Sequence, residues 1–133
     1  MPNAPVVLVV EDEPSVQHTL CTALTLMGFQ TRQADNVDAA LTILANDRID
    51  AVSLDIRIPD PKGLQRSGLS VLAHLRSIEE YRSVPVLVFT GMPLTAEDAE
   101  LVGRHNARVF YKPQRYSVVI EELRRLLQKA SAA

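Results

Sequence analysis

The chain has 133 residues, 47% hydrophobic and 23% charged, with Lys+Arg 14 against Asp+Glu 16 and a formal net charge of -2. That is the size of one ordinary domain with a single core, and the composition has no disorder signature. Nothing in the charge recommends nucleic acid or an anionic membrane as the chief partner, and the lone cysteine, Cys21, rules out an intrachain disulfide or a thiolate metal cluster.

In chain order, "MPNAP" offers no basic leader, and the apolar run "VVLVV" at 6 to 10 is too short for a signal or a membrane span, so the expected location is the cytoplasm. That run reads as a first strand. Pro14 then suits a first helical turn, capped by Asp12 or Glu13, and Val16, Leu20, Ala23, Leu24 and Met27 follow a helical period up to Gly28. Cys21 falls on this helix as a small core residue. A second strand, the least apolar, is expected at 29 to 33, and Asn36 can cap a second helix bearing Val37, Ala40, Leu41 and Leu44. "AVSL" at 51 to 54 gives a third strand, and a third helix carries Leu69, Leu72, Leu75 and Ile78. A fourth strand is expected at 84 to 89. Thr95 opens a fourth helix, with Glu97 and Asp98 as the acids its first turn prefers, followed by a strand at 107 to 111 and a helix through Val118, Glu122, Leu123, Leu126 and Leu127. Five strands, most of them near-continuously apolar, alternating with five helices predict a doubly wound α/β fold, a parallel sheet covered on both faces.

In an open parallel sheet, ligands collect at the carboxyl ends of the strands. This reading places Glu11, Asp12 and Glu13 after the first strand, Asp55 after the third, Thr90 after the fourth and Lys112 after the fifth. Each has an ordinary explanation alone, as a cap, a turn residue or a surface lysine. Together they form an arrangement that a fold rarely keeps without use, because crowded carboxylates raise one another's pKa unless a cation compensates. Hard oxygen ligands with room for water suit Mg²⁺, which prefers to share a phosphate with the protein. Thr90 can donate to a phosphoryl oxygen and Lys112 can neutralise one. Asp55 then becomes a carboxylate nucleophile beside the metal.

These residues resemble the receiver domain of bacterial two-component response regulators over nearly the whole chain, taken as one domain over 1–133. "VLVVEDEP" is similar to the family's acidic pair, "DAVSLDIRIP" to its phospho-acceptor segment, "PVLVFTG" to its Ser/Thr strand end and "FYKP" to its Lys-Pro motif. The resemblance implies a flavodoxin-like sheet of order 2-1-3-4-5. It implies that Asp55 accepts a phosphoryl group from a histidine kinase or phosphotransfer protein, with Thr90 and Lys112 on the phosphoryl oxygens. Mg²⁺ would be bound by Asp12 and Asp55, by Glu11 largely through water, and by the backbone carbonyl of Arg57. The acyl phosphate would be the signal to a downstream protein or output domain, the chain would be no enzyme beyond promoting its own phosphorylation and dephosphorylation, and it would be a monomer or a phosphorylation-dependent homodimer.

Three departures stand out, and two further positions tune the chemistry. "PDPKGLQRSG" reads as an insertion on the order of five residues before the third helix, and Lys62 or Arg66 within it could dock a partner or cover the site. Val109 stands where the family often has Tyr or Phe, and Phe110 cannot replace it because neighbours on a strand face opposite ways. Tyr111 shares the face of Val109 but lies further along. Glu11 replaces a usual Asp, while Arg57 and Met92 are long side chains at positions that tune hydrolysis, which implies a long-lived phosphoryl group. A flavin or nucleotide binder is disfavoured because "EDEPSV" puts negative charge where a phosphate needs amide donors. An aspartate phosphatase generally has a second Asp where Arg57 stands. The remaining rival is a receiver-like module that binds partners without phosphorylation.

Overall fold

A computed structural model of the protein describes residues 4–59 and 68–132. The elements run β1 (Val6–Val10), α1 (Pro14–Leu26), β2 (Gln30–Ala34), α2 (Val37–Asn46), β3 (Ala51–Leu54), α3 (Gly68–Ser77), a 3-10 turn (Glu79–Tyr81), β4 (Val86–Thr90), α4 (Ala96–Arg104), β5 (Arg108–Tyr111) and α5 (Tyr116–Ala132). All strand pairings are parallel and the order is β2-β1-β3-β4-β5, as expected from the sequence. Lys62 and Arg66 lie outside the described residues.

The side-chain period of two sorts each central strand between two cores. Leu8, Val10, Val52, Leu54, Val86 and Val88 face one layer with α2, α3 and Val102 of α4, whereas Val7, Val9, Ala51, Leu87 and Phe89 face Leu20, Cys21 and Leu24 of α1 and Val119, Ile120 and Leu123 of α5. Burying an aliphatic side chain of this size is worth about 1.5–3 kcal/mol, so these two layers dominate the stability. The edge strands carry the polar sequence: β2 is half-exposed and β5 has Arg108 and Tyr111 open to solvent. That explains why 29 to 33 reads as the weakest strand.

Helix ends follow local chemistry. Pro14 occupies the first helical position of α1, and Glu13 is the cap residue but makes no side-chain capping bond. Its main-chain N–H instead donates to the Glu11 carboxylate at 3.2 Å. Gly28, at φ +95, lets the chain leave α1 in the left-handed region that an L side chain resists. The Asn36 side chain accepts from the Ala39 N–H at 2.8 Å, and Thr95 and Asp98 form a reciprocal capping box on α4.

Several expected boundaries shift by one or two residues, each for a hydrogen-bonding reason. Phe29 precedes β2 because its N–H donates to the carbonyl of Leu24, and Val84 precedes β4 because its N–H closes onto Tyr81. The Ala107 N–H closes onto Val102, which delays β5 by one residue. Ile78 lies just past α3 and packs on the core from there.

Two arginine arrangements brace the periphery. Arg76, near the end of α3, donates from Nε to the carbonyl of His105 at 2.8 Å and from Nη1 to those of Tyr81 and Val84 at 2.9 and 2.7 Å. Burial lowers its pKa, yet three carbonyl oxygens hold the guanidinium in place. On the other side of the sheet Glu122 accepts from Arg108 Nε at 2.9 Å and from Arg125 Nε and Nη2 at 3.0 and 2.6 Å. Hydrogen bonds from Arg125 first, then from Arg108, overcome the burial of Glu122 and hold its carboxyl down at about 2. No helix among the described residues is long and apolar enough to cross a membrane.

Candidate functional site

The sheet itself places the polar residues. The Glu11 N–H donates to the carbonyl of Ala34 at 2.9 Å, that of Asp55 to Val10 at 3.0 Å and that of Lys112 to Thr90 at 2.9 Å. Each of the three is therefore the first residue beyond its strand and is fixed by a ladder bond from the neighbouring strand. The register pairs Val10 with Leu54 in β3 and Thr90 with Tyr111 in β5, which brings all the strand ends to one edge.

There the side chains meet as expected. Lys112 Nζ donates to Glu11 Oε1 at 2.7 Å and to Asp55 Oδ2 at 2.9 Å. Asp55 Oδ1 accepts from the Arg57 N–H at 3.2 Å, and Thr90 Oγ1 accepts from the Met92 N–H at 3.1 Å. Glu11, Asp12 and Asp55 each offer a carboxylate oxygen within 4.8 Å of the others. Glu11, Asp55 and Thr90 are buried, while Asp12 is half-buried. Lys112 also lies 5.5 Å from the centroid of the Phe89 ring, whose face favours a cation. Its peptide bond to Pro113 is cis.

These groups line an open cavity of about 350 Å³, to which Arg57, Gly91, Met92 and Pro93 contribute. A larger recess of about 620 Å³ beside Phe110 and α5 brings no comparable set of acids together; it is bordered by the Glu122 clamp. The electrostatics at the sheet edge are unbalanced, with one lysine facing three carboxylates. Burial, then the charge of Asp55, raises Glu11 to about 7 despite the hydrogen bond from Lys112. Asp12 is raised by burial and by Asp55. Burial pulls Lys112 down, but hydrogen bonds to Glu11 and Asp55 and their charges together push it up, so it stays cationic.

The donor set fits Mg²⁺: hard carboxylate oxygens gathered round a solvent-open cavity, with negative charge that the lysine leaves uncompensated. Both oxygens of Glu11 already accept hydrogen bonds, from Lys112 and from Glu13. Val109 is half-buried against the Leu/Val core, on the face opposite Phe110, and Tyr111 is 47% exposed. The alternation expected along this strand is thus present.

Two supporting residues escape sequence reasoning. Gln17 Nε2 donates to the carbonyls of Glu11 and Ala34, both at 3.1 Å, clasping the turn that carries the acids. Gly68 donates to the carbonyl of Ile56, and any Cβ at residue 68 would collide with the main-chain oxygen of Asp55. A glycine opening a helix is a visible signal for such an approach; nothing in the sequence distinguishes Gln17 from other polar positions on α1.

The doubly wound fold and the acid–hydroxyl–lysine edge define a phosphoryl-accepting signalling domain, and the comparisons agree. The model of the response regulator receiver domain matches residues 7–126. The chain belongs to that family, whose general function is phospho-acceptance in two-component systems. It is 30% identical over 127 residues to the response regulator MprA of Mycobacterium sp. (strain KMS), covering 94% of this chain and 51% of that protein. It is 37% identical over 84 residues to the regulatory protein AtoC of Escherichia coli (strain K12), covering 63% of this chain and 17% of that one. The chain thus spans about half or less of the length of these relatives. Among solved structures it resembles a CheY-like receiver domain protein from Methanospirillum hungatei JF-1, with TM-score 0.87, 17% identity and 98% of each chain covered. It also resembles the receiver domain of sensor histidine kinase PA1611 from Pseudomonas aeruginosa PAO1, with TM-score 0.78, 25% identity and 94% and 98% coverage; that structure has a magnesium ion coordinated in its active site cleft.

Proposed function

We propose that Asp55 accepts a phosphoryl group from the phosphohistidine of a histidine kinase or phosphotransfer protein, and that the acyl phosphate alters binding to a downstream protein or output domain in the cytoplasm. The observation that carries this reading is the pair of hydrogen bonds from Lys112 Nζ to Asp55 Oδ2 and Glu11 Oε1. They hold a cation where negative charge develops during transfer. An Asp55 carboxylate oxygen forms the new O–P bond as the donor's P–N bond breaks and the imidazole leaves with the electron pair. Lys112 and the Thr90 hydroxyl align and neutralise the phosphoryl oxygens, which is most of what this chemistry requires of a protein.

Asp12, Asp55 and the carbonyl of Arg57 would hold Mg²⁺, with Glu11 reaching it through water; when bound, the ion supplies further charge neutralisation. Arg57 and Met92 border the cavity and would slow hydrolysis by restricting water. The chain would promote only its own phosphorylation and dephosphorylation and would not act as an enzyme on a separate substrate.

Incubation with Mg²⁺ and acetyl phosphate, followed by intact-mass measurement, tests both parts. The parent protein should gain one phosphoryl group and retain it after the donor is removed, while Asp55→Asn gains none. An unmodified parent would favour a module that binds partners without phosphorylation. Prompt loss of the group would refute only the shielding by Arg57 and Met92.

A further inference from the structure

At the foot of the molecule, where α3 and α4 both end, Ala73, Arg76, Ser77, Arg82, Arg104, His105 and Asn106 line a recess of about 360 Å³. We propose that this recess docks an acidic peptide segment of a partner protein, with its carboxylates received by Arg76, Arg82 and Arg104.

The argument begins with what the cations already bind. Arg76 spends Nε and Nη1 on three carbonyls, and no described residue accepts from its Nη2. Its fork is held rigid by neutral partners, so a carboxylate could meet it without further ordering of the side chain. Exposed Arg82 has no carboxylate partner among the described residues. Arg104 pairs with Glu100 at 2.7 Å, but both side chains are well exposed and four residues apart on one helix, a weak ion pair that is readily exchanged.

Favourable charge at helix C-termini accounts for Arg76 and Arg104 separately. It does not account for Arg82, which follows the 3-10 turn, nor for the convergence of all three on one recess. A peptide suits this geometry better than nucleic acid, because the chain as a whole carries -2 and would repel an extended polyanion beyond the recess. The ten residues of α3 span about 15 Å, which separates the recess from the Asp55 end of that helix. A bound segment therefore leaves the carboxylate cavity open, and docking does not depend on phospho-acceptance.

Fluorescence anisotropy of a labelled tetraglutamate peptide, short enough to lie within the recess, tests the proposal at low ionic strength. The parent and Asp55→Asn should bind alike. Arg82→Glu/Arg104→Glu should weaken binding by about tenfold or more, whereas Arg48→Glu, at an exposed arginine outside the recess, should change it by less than about twofold. Both altered positions are exposed, so the fold should survive, as circular dichroism would verify. Should the double variant misfold, Arg82→Ser supplies the same readout and should weaken binding severalfold. Absence of binding by the parent, or equal weakening by Arg48→Glu, overturns the proposal. Displacement of the peptide by inorganic phosphate at matched charge also overturns it, because the recess would then be a simple anion site.

Discussion

The carboxylate cluster at the sheet edge and the clamp on α5 are made of the same materials and are poised in opposite directions. At the edge, three acids share one lysine, and Glu11 is raised to about 7. At the clamp, one acid shares two arginines, and Glu122 falls to about 2. An excess of carboxylate is costly until a cation arrives; an excess of guanidinium is tolerated because Arg108 and Arg125 are about half exposed and remain solvated. Electrostatic tension thus separates a site prepared for a ligand from a brace that is already complete.

The strongest way to break this contrast is to remove the lysine. Lys112→Met leaves Glu11 and Asp55 buried without their cation, and should cost about 3 kcal/mol of stability in urea denaturation without metal. It should also slow phosphorylation by about 10²-fold or more. Unaltered stability would show that the acids are not under strain.

Glu11→Gln sharpens the contrast through pH. A folded-state pKa raised to about 7 from 4.5 gives stability that is present below pH 4.5 and lost as pH rises through 7. Without metal, the Gln variant should therefore match the parent below pH 4.5 and exceed it above pH 7, by on the order of 1–3 kcal/mol. Denaturation curves across this range check the sign.

Glu122→Gln should act in the reverse sense and least. A pKa lowered from 4.5 to about 2 gives stability present above pH 4.5 and lost as pH falls towards 2. The parent should exceed this variant by about 1 kcal/mol at pH 7, since both partners are half exposed, and the gap should close in acid. A gap that persists near pH 2 would assign the effect of residue 122 to packing instead of charge.

Most of the layer order is legible in the apolar runs. β1 and β3 occupy the expected residues because all of their residues but the half-buried Val6 are buried, whereas β2, β4 and β5 start later than expected because main-chain bonds at Phe29, Val84 and Ala107 belong to preceding turns. Glu11, Asp12, Asp55, Thr90 and Lys112 are legible for the same reason: each lies at or just past the end of a strand, and strand ends are what periodicity marks best. Asp12 or Glu13 as a side-chain cap is a partial success, since Glu13 takes the position without the bond. The clasp by Gln17 and the Arg76 pins are not legible, because they depend on side chains reaching main-chain carbonyls of distant segments, and sequence spacing carries no record of that.

The fit of Gly68 against Asp55 has a practical consequence for anyone wishing to report on this molecule. The origin of α3 is pinned to the main chain at the end of β3, through a hydrogen bond from Gly68 to the carbonyl of Ile56 and through the Asp55 main-chain oxygen that a side chain at 68 would strike. A dye or tag attached at the start of that helix would push directly on the residue whose state it was meant to sense, whereas a label on the outward-facing Leu26 leaves that contact untouched.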